Sequence, residues 1–236
     1  MKARVIYVKG HELSEACMRK TVDSLVKYEW DYEVVEGVTP DTLDEDEFPW
    51  KDLPNGRLES FRLNPNPDEQ RKYFTKKSCL FNHLRFARDV AESNQSMIFL
   101  EHDVVVTSSV PKDTGVSDFC FLNIDGAFKP PSVLSEHPRL VNWYRDHSHS
   151  LGVQPFPSSY ELKYYKKSRY YGKNMVAGTS AYILTPSGAE RLLGTAAEFG
   201  LEQSDFLYND MTVDMQYIYP SPVKFQKVNP NLSHRL

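Results

Sequence analysis

Ser96-Met97-Ile98-Phe99-Leu100-Glu101-His102-Asp103 is the stretch on which the reading of the chain turns. Residues 97–100 form an apolar run of strand length with no polar alternation, the pattern of a strand buried on both faces in an α/β sheet. The run stops abruptly in two carboxylates with an imidazole between them. Open α/β sheets bind ligands beyond the carboxyl ends of their strands. An acid-x-acid pair there suits a hard cation, Mg²⁺ or Mn²⁺, which takes oxygen ligands. Taken alone, the same triplet serves equally well as the solvated start of a loop.

Immediately upstream, residues 76–92 read as a helix. Leu80, His83, Leu84, Ala87 and Ala91 recur at helical spacing, which puts His83 on the buried stripe, either as a hydrogen-bonded core histidine or as a ligand. Further back, Val5-Ile6-Tyr7-Val8 reads as an opening strand, Lys9-Gly10-His11 as a turn and residues 14–28 as a helix capped by Ser14. Its apolar stripe comprises Ala16, Cys17, Val22, Leu25 and Val26, and residues 32–37 follow as a second strand. This β-α-β unit implies a right-handed crossover and parallel pairing. It lacks the glycine-rich dinucleotide fingerprint, which disfavours a Rossmann dehydrogenase. Residues 40–70, acidic and then proline-rich, read as a surface excursion, either a solvated loop or a flap. Downstream, Val104-Val105-Val106 extends the strand or begins an edge hairpin, and residues 119–124 form another buried strand ending at Asp125-Gly126.

A chain of 236 residues, 40% hydrophobic and 25% charged, is expected to fold as one domain with a full core. The net charge of −4 argues against indiscriminate coating of nucleic acid. Cys17, Cys79 and Cys120 are odd in number and far apart, which disfavours a disulfide framework or a zinc knuckle. The opening strand is too short for a signal peptide and no run reaches membrane-spanning length, so a cytoplasmic location is expected. Asn94-Gln95-Ser96 and Asn231-Leu232-Ser233 match the glycosylation pattern but mean little without a secretory signal.

Three ordered segments resemble glycosyltransferase family 25, which includes lipooligosaccharide and collagen galactosyltransferases. They are Cys79-Leu80-Phe81-Asn82-His83 with its helix, the Glu101-His102-Asp103 strand end, and Gly178-Thr179-Ser180-Ala181-Tyr182-Ile183-Leu184 followed by a helix with Ala189 and Leu192-Leu193. The family's triplet has a central acid where His102 stands, its helix has a serine where Asn82 stands, and its arginine pair after strand one is not evident in Glu12-Leu13-Ser14-Glu15.

The resemblance implies a single GT-A-like α/β domain, with a mixed, mostly parallel sheet flanked by helices. Residues 1–110 would bind the donor and 111–236 the acceptor. The donor is a nucleotide-diphospho-sugar, expected to carry UDP, at Tyr7, Val8, Lys9, His83, Glu101, His102 and Asp103. Asp103 and Glu101 are expected to hold Mn²⁺ or Mg²⁺, with His234 a further candidate ligand. Asp205 is the favoured base of an inverting reaction, with Asp210 and then Asp125 behind it. Acceptor contacts are expected from Gly178 and Thr179.

Residues 160–173 interleave five basic residues with five tyrosines against a single acid. Lys163, Lys166, Lys167, Arg169 and Tyr170 read either as an exposed loop or as a strip that holds phosphates and stacks on rings. The favoured acceptor is therefore a 5-hydroxymethylated pyrimidine in DNA, as in the glycosyltransferases by which bacteriophages disguise their genomes, which would place the protein in the host cytoplasm. The alternatives are a saccharide of lipooligosaccharide or another glycan, and a non-catalytic sugar- or nucleotide-binding protein. A metal-dependent phosphohydrolase is a weaker rival, because the further His and Asp clusters of a two-metal site are missing.

Overall fold

Met97–Glu101 forms strand β3, and its side chains alternate between two cores as a pleated strand requires. Met97 and Phe99 enter one cluster, Ile98 and Leu100 the other. In the computed structural model, residues 1–110, 115–123, 148–155 and 178–226 are described. Their elements in chain order are β1 (Ala3–Tyr7), α1 (Glu12–Lys27), β2 (Tyr32–Glu36), a 3₁₀ turn (Glu45–Glu47), α2 (Arg57–Arg62), α3 (Pro67–Ser93), β3 and β4 (Val104–Val106). There follow β5 (Phe119–Phe121), β6 (Gly152–Pro155), β7 (Ala181–Leu184), α4 (Pro186–Phe199), α5 (Ser204–Leu207), β8 (Met215–Tyr219) and β9 (Val223–Phe225).

Among the described residues, seven strands form one sheet in the order β2-β1-β3-β7-β5-β8-β6. The sheet is mixed and mostly parallel in direction: β2, β1, β3, β5 and β8 point one way, and β7 and β6 oppose them. On one face α3 and α4 pack over Phe99, Phe119, Phe121, Tyr182 and Leu184. On the other, α1 and the antiparallel ribbon β4-β9 cover Ile98, Leu100, Ala181 and Ile183. The expected α/β architecture, with a mixed, mostly parallel sheet between helices, is present.

Several local expectations shift. His11, not Ser14, caps α1, its Nδ1 accepting the Ser14 N–H at 3.2 Å, while the Ser14 hydroxyl accepts the Val8 N–H at 2.8 Å. The buried stripe of α1 is Ser14, Cys17, Thr21 and Leu25, with Val26 60% exposed. Helix α3 begins nine residues before the expected residue 76, at Pro67. Asn66 caps it by accepting the Asp68 N–H, Pro67 occupies the first turn, and Asn94 at φ 51° ends it. Residues 40–70 are more than a solvated excursion: Phe48, Leu58 and Phe61 enter the core, and Glu45 and Glu47 pair with Lys77, Arg85 and Arg88. Val104–Val106 neither extends β3 nor hairpins with it, but pairs with β9.

Candidate functional site

The parallel strands β2, β1 and β3 end at one edge of the sheet. A cavity of about 300 Å³ opens there. Tyr7 and Val8 line it after β1, Val38 and Thr39 after β2, Lys76, Cys79 and His83 from α3, and Glu101, His102 and Asp103 after β3. Two close fits shape its wall. Gly37 donates to the Tyr7 carbonyl at 2.7 Å, and a Cβ there would lie 2.8 Å from the Ile6 side chain. Asn82 accepts the Val38 N–H at 2.7 Å and donates to the Val38 carbonyl at 3.2 Å, latching the loop after β2 to α3.

Period-two alternation puts Glu101 on the same side of β3 as Phe99, facing α3, where Cys79 and His83 stand one turn apart. One ligand atom from each of Cys79, His83 and Glu101 lies within 4.8 Å of the others. Beyond Glu101, the turn carrying His102 and Asp103 is held from beneath. The Thr21 hydroxyl is 2.7 Å from the His102 and Val104 carbonyls, and the Gln226 amide reaches those of Cys17, His102 and Val104 at 2.8–3.1 Å. The Gln226 N–H donates to the Asp103 carbonyl at 2.8 Å.

The opposing direction of β7 brings in the other side of the site. Its first residues lie beside the end of β3, and Glu101 N–H donates to the Ser180 carbonyl at 2.8 Å. Gly178 N–H and the Thr179 hydroxyl both donate to Asp205 Oδ1 at 3.2 Å. The Asp205 charge reaches Glu101 and Cys79 and raises both.

Burial dominates the electrostatics. It pushes the Glu101 carboxyl up to about 8, with the charges of Asp103 and Asp205 adding to the effect and Lys76 opposing it. Burial likewise raises Asp103 and takes the Cys79 thiol up to about 12. Desolvation takes His83 down to about 3 and lowers His102, whose hydrogen bond with the Ile6 backbone opposes the shift. His83 stacks on Phe99 at 4.4 Å, and its Nδ1 is 2.8 Å from the Tyr182 hydroxyl, itself 2.8 Å from that of Tyr208. It is thus a hydrogen-bonded core histidine that also lines the cavity. Among the described residues, neither His83 Nε2 nor Asp103 Oδ1, both buried, has a hydrogen-bond partner. A buried carboxylate oxygen without a donor is an atom that a cation would satisfy, so Asp103 fits the metal that the resemblance implies.

Of the expected donor residues, Tyr7, Val8, His83, Glu101, His102 and Asp103 line the cavity. Lys9 does not: it is exposed, and its ammonium pairs with Glu36 at 3.1 Å. Asp210 is exposed in the turn after α5; like it, Gly178, Thr179 and Asp205 are not among the residues lining the cavity, and the Asp205 charge is felt at Glu101 from beyond the lining. Asp125, His234, Lys163, Lys166, Lys167, Arg169 and Tyr170 lie outside the described residues. Thr21, Asn82 and Gln226 were not singled out as supports of the site, and only Asn82, inside the motif helix, carried a signal in sequence. No helix among the described residues is long and apolar enough to cross a membrane.

The family model described as "Glycosyltransferase family 25 (LPS biosynthesis protein)" matches residues 11–213. A comparison with curated proteins returns no match. Among solved structures, mouse xyloside xylosyltransferase 1 in its apo form aligns with a TM-score of 0.40 at 10% identity, covering 89% of this chain and 81% of that one. A glycosyltransferase involved in the glycosylation of the major capsid of PBCV-1 aligns with a TM-score of 0.37 at 10% identity, covering 99% and 95%.

Proposed function

The chain belongs to glycosyltransferase family 25, and from that premise we propose that its cavity takes a nucleotide-diphospho-sugar, with UDP the favoured nucleotide, and that the sugar passes to a hydroxyl acceptor. The observation that carries this reading is the convergence of Glu101, Asp103 and the Gly178-Thr179-Asp205 cluster at the edge where β1, β2 and β3 end. Among the described residues, those that line the cavity fall between Ile6 and Asp103, which supports giving the donor to residues 1–110; the acceptor would then fall to residues 111–236.

In the proposed inverting reaction, the acceptor oxygen bonds to the anomeric carbon as the bond from that carbon to the phosphate oxygen breaks. The electron pair leaves with the nucleoside diphosphate. Asp205 takes the acceptor proton, held for that task by the Gly178 N–H and the Thr179 hydroxyl. Asp103, with Glu101 directly or through water, would hold Mn²⁺ or Mg²⁺, which neutralises charge developing on the leaving group. Lys76, also in the lining, adds a cation near Glu101.

The family's description as an LPS biosynthesis protein favours a saccharide acceptor. A hydroxymethylated base in DNA is the second reading, favoured by the basic, tyrosine-rich sequence of residues 160–173. Both are tested by incubating the purified protein with a panel of nucleotide sugars and Mn²⁺, together with glycan acceptors or hydroxymethylated DNA, and weighing the products by mass spectrometry. The expected result is one donor and acceptor pairing that yields product, lost on Asp103→Ala. Folded protein that neither transfers nor hydrolyses any donor refutes the reading in favour of a non-catalytic binding protein.

A further inference from the structure

We propose that Cys79, His83 and one carboxylate oxygen of Glu101 form a zinc site in the wall of the cavity, distinguished by its sulfur and nitrogen donors from the oxygen site proposed at Asp103, with which it shares Glu101. Cys79 and His83 are four residues apart on α3 and so share one face. Glu101 meets them from the end of β3. Their ligand atoms lie within 4.8 Å of one another. Tetrahedral zinc, with bonds of about 2.0–2.3 Å, sets its ligand atoms roughly 3.5 Å apart, so side-chain adjustments of about 1 Å close the site.

A second observation points the same way. His83 is buried, and its Nε2 has no partner among the described residues. Its Nδ1 is engaged by Tyr182, whose hydroxyl is engaged in turn by Tyr208. When Nδ1–H donates to Tyr182, the Nε2 lone pair is left free to bind a metal. That is the arrangement in which an outer hydrogen bond fixes the tautomer of a metal-bound histidine.

The donor set selects the ion. Sulfur, imidazole nitrogen and one carboxylate suit zinc and not magnesium. A thiolate and a carboxylate together balance its two positive charges, so the loaded site is neutral where it is buried. All three side chains also line the cavity, which leaves the fourth position open to water or to an oxygen of a bound molecule. Three protein ligands with an open position is the pattern of reactive zinc sites, in contrast to closed structural ones.

The test uses Co²⁺ as a spectroscopic stand-in for zinc, added to full-length, chelator-treated protein, and does not depend on sugar transfer. The expected result is one equivalent bound, with a thiolate-to-cobalt charge-transfer band and strong tetrahedral visible bands, all bleached by zinc. Cys79→Ser should remove the charge-transfer band and weaken binding by at least about 100-fold. Tyr182→Phe should weaken it by about tenfold through the outer hydrogen bond, while Asp103→Asn should leave the band in place. Melting curves of the metal-free proteins confirm that each variant is folded. Wild-type protein without the band, or a band that survives Cys79→Ser and so belongs to Cys17 or Cys120, overturns the proposal. So does a band lost equally with Asp103→Asn.

Discussion

His83 and Glu101 are both held uncharged, and they titrate the stability of the metal-free protein in opposite directions. Desolvation takes His83 from its ordinary 6.5 down to about 3. Its contribution is fully present above pH 6.5 and is lost as the pH falls toward 3, because the unfolded chain takes up a proton that the folded chain refuses. Burial, helped by Asp103 and Asp205, takes Glu101 from 4.5 up to about 8. Its contribution is fully present below pH 4.5 and is lost as the pH rises toward 8. Each group changes stability by about 1.4 kcal/mol per pH unit within its window. The two slopes cancel where the windows overlap, between 4.5 and 6.5. Below 4.5 the His83 slope stands alone and reaches about 5 kcal/mol near pH 3. Above 6.5 the Glu101 slope stands alone until it ends near pH 8.

The assay is urea unfolding in chelator from about pH 3 to pH 9, on wild type, His83→Gln and Glu101→Gln. Subtracting each variant from wild type removes the titration of all other carboxylates and isolates one group. The His83 difference should fall with acidity, and the Glu101 difference should fall with alkalinity. A His83 difference curve that stays flat below pH 6 would mean that the imidazole reaches water or a carboxylate when protonated, and the account of its buried environment would be wrong.

Three further outcomes are expected. Lys77→Met should cost about 3 kcal/mol in denaturant unfolding, because the Lys77 ammonium, on a residue 5% exposed, bonds Glu45 and the Tyr73 hydroxyl and lies 3.8 Å from the buried Asp52. Gly188→Ala should lower stability by about 2 kcal/mol, measured the same way, because its Cβ would sit 2.5 Å from the Asp118 carbonyl oxygen at the start of β5. Asp205→Asn keeps an oxygen for the Gly178 and Thr179 donors, so melting should be unchanged while the rate of transfer falls by about 100-fold or more.

The cavity at the ends of β1, β2 and β3 was legible in sequence because it is built from local pattern. A run of four apolar residues that meets both faces of a covered sheet has one reading, and acids that end such a run must stand at its edge. His83 followed from helical spacing in the same way, on the helix that leads into that strand. The apolar spacing marks α3 only from residue 76, while its start lies in the capping pattern of Asn66, Pro67, Asp68 and Glu69. The prolines of residues 54–67 read as loop composition, but Pro67 stands in the first turn of the helix, where proline is tolerated.

The supports of the site depend on long-range packing instead. Thr21 and Gln226 brace the His102-Asp103 turn from elements 81 and 124 residues away from His102 in sequence. No periodicity marks a residue whose partner is a distant backbone carbonyl. The same holds for the Gly178-Thr179-Asp205 cluster. Gly178, Thr179 and Asp205 come beside Glu101 because β7 runs against its neighbours and inserts between β3 and β5. Had β7 run parallel to β3, its first residues would lie at the opposite edge of the sheet and Asp205 would have no carboxylate within reach. One strand direction, which short apolar runs do not encode, therefore decides whether two halves of this chain make one site. Perturbing the seam between Glu101 N–H and the Ser180 carbonyl should accordingly impair transfer before it impairs folding.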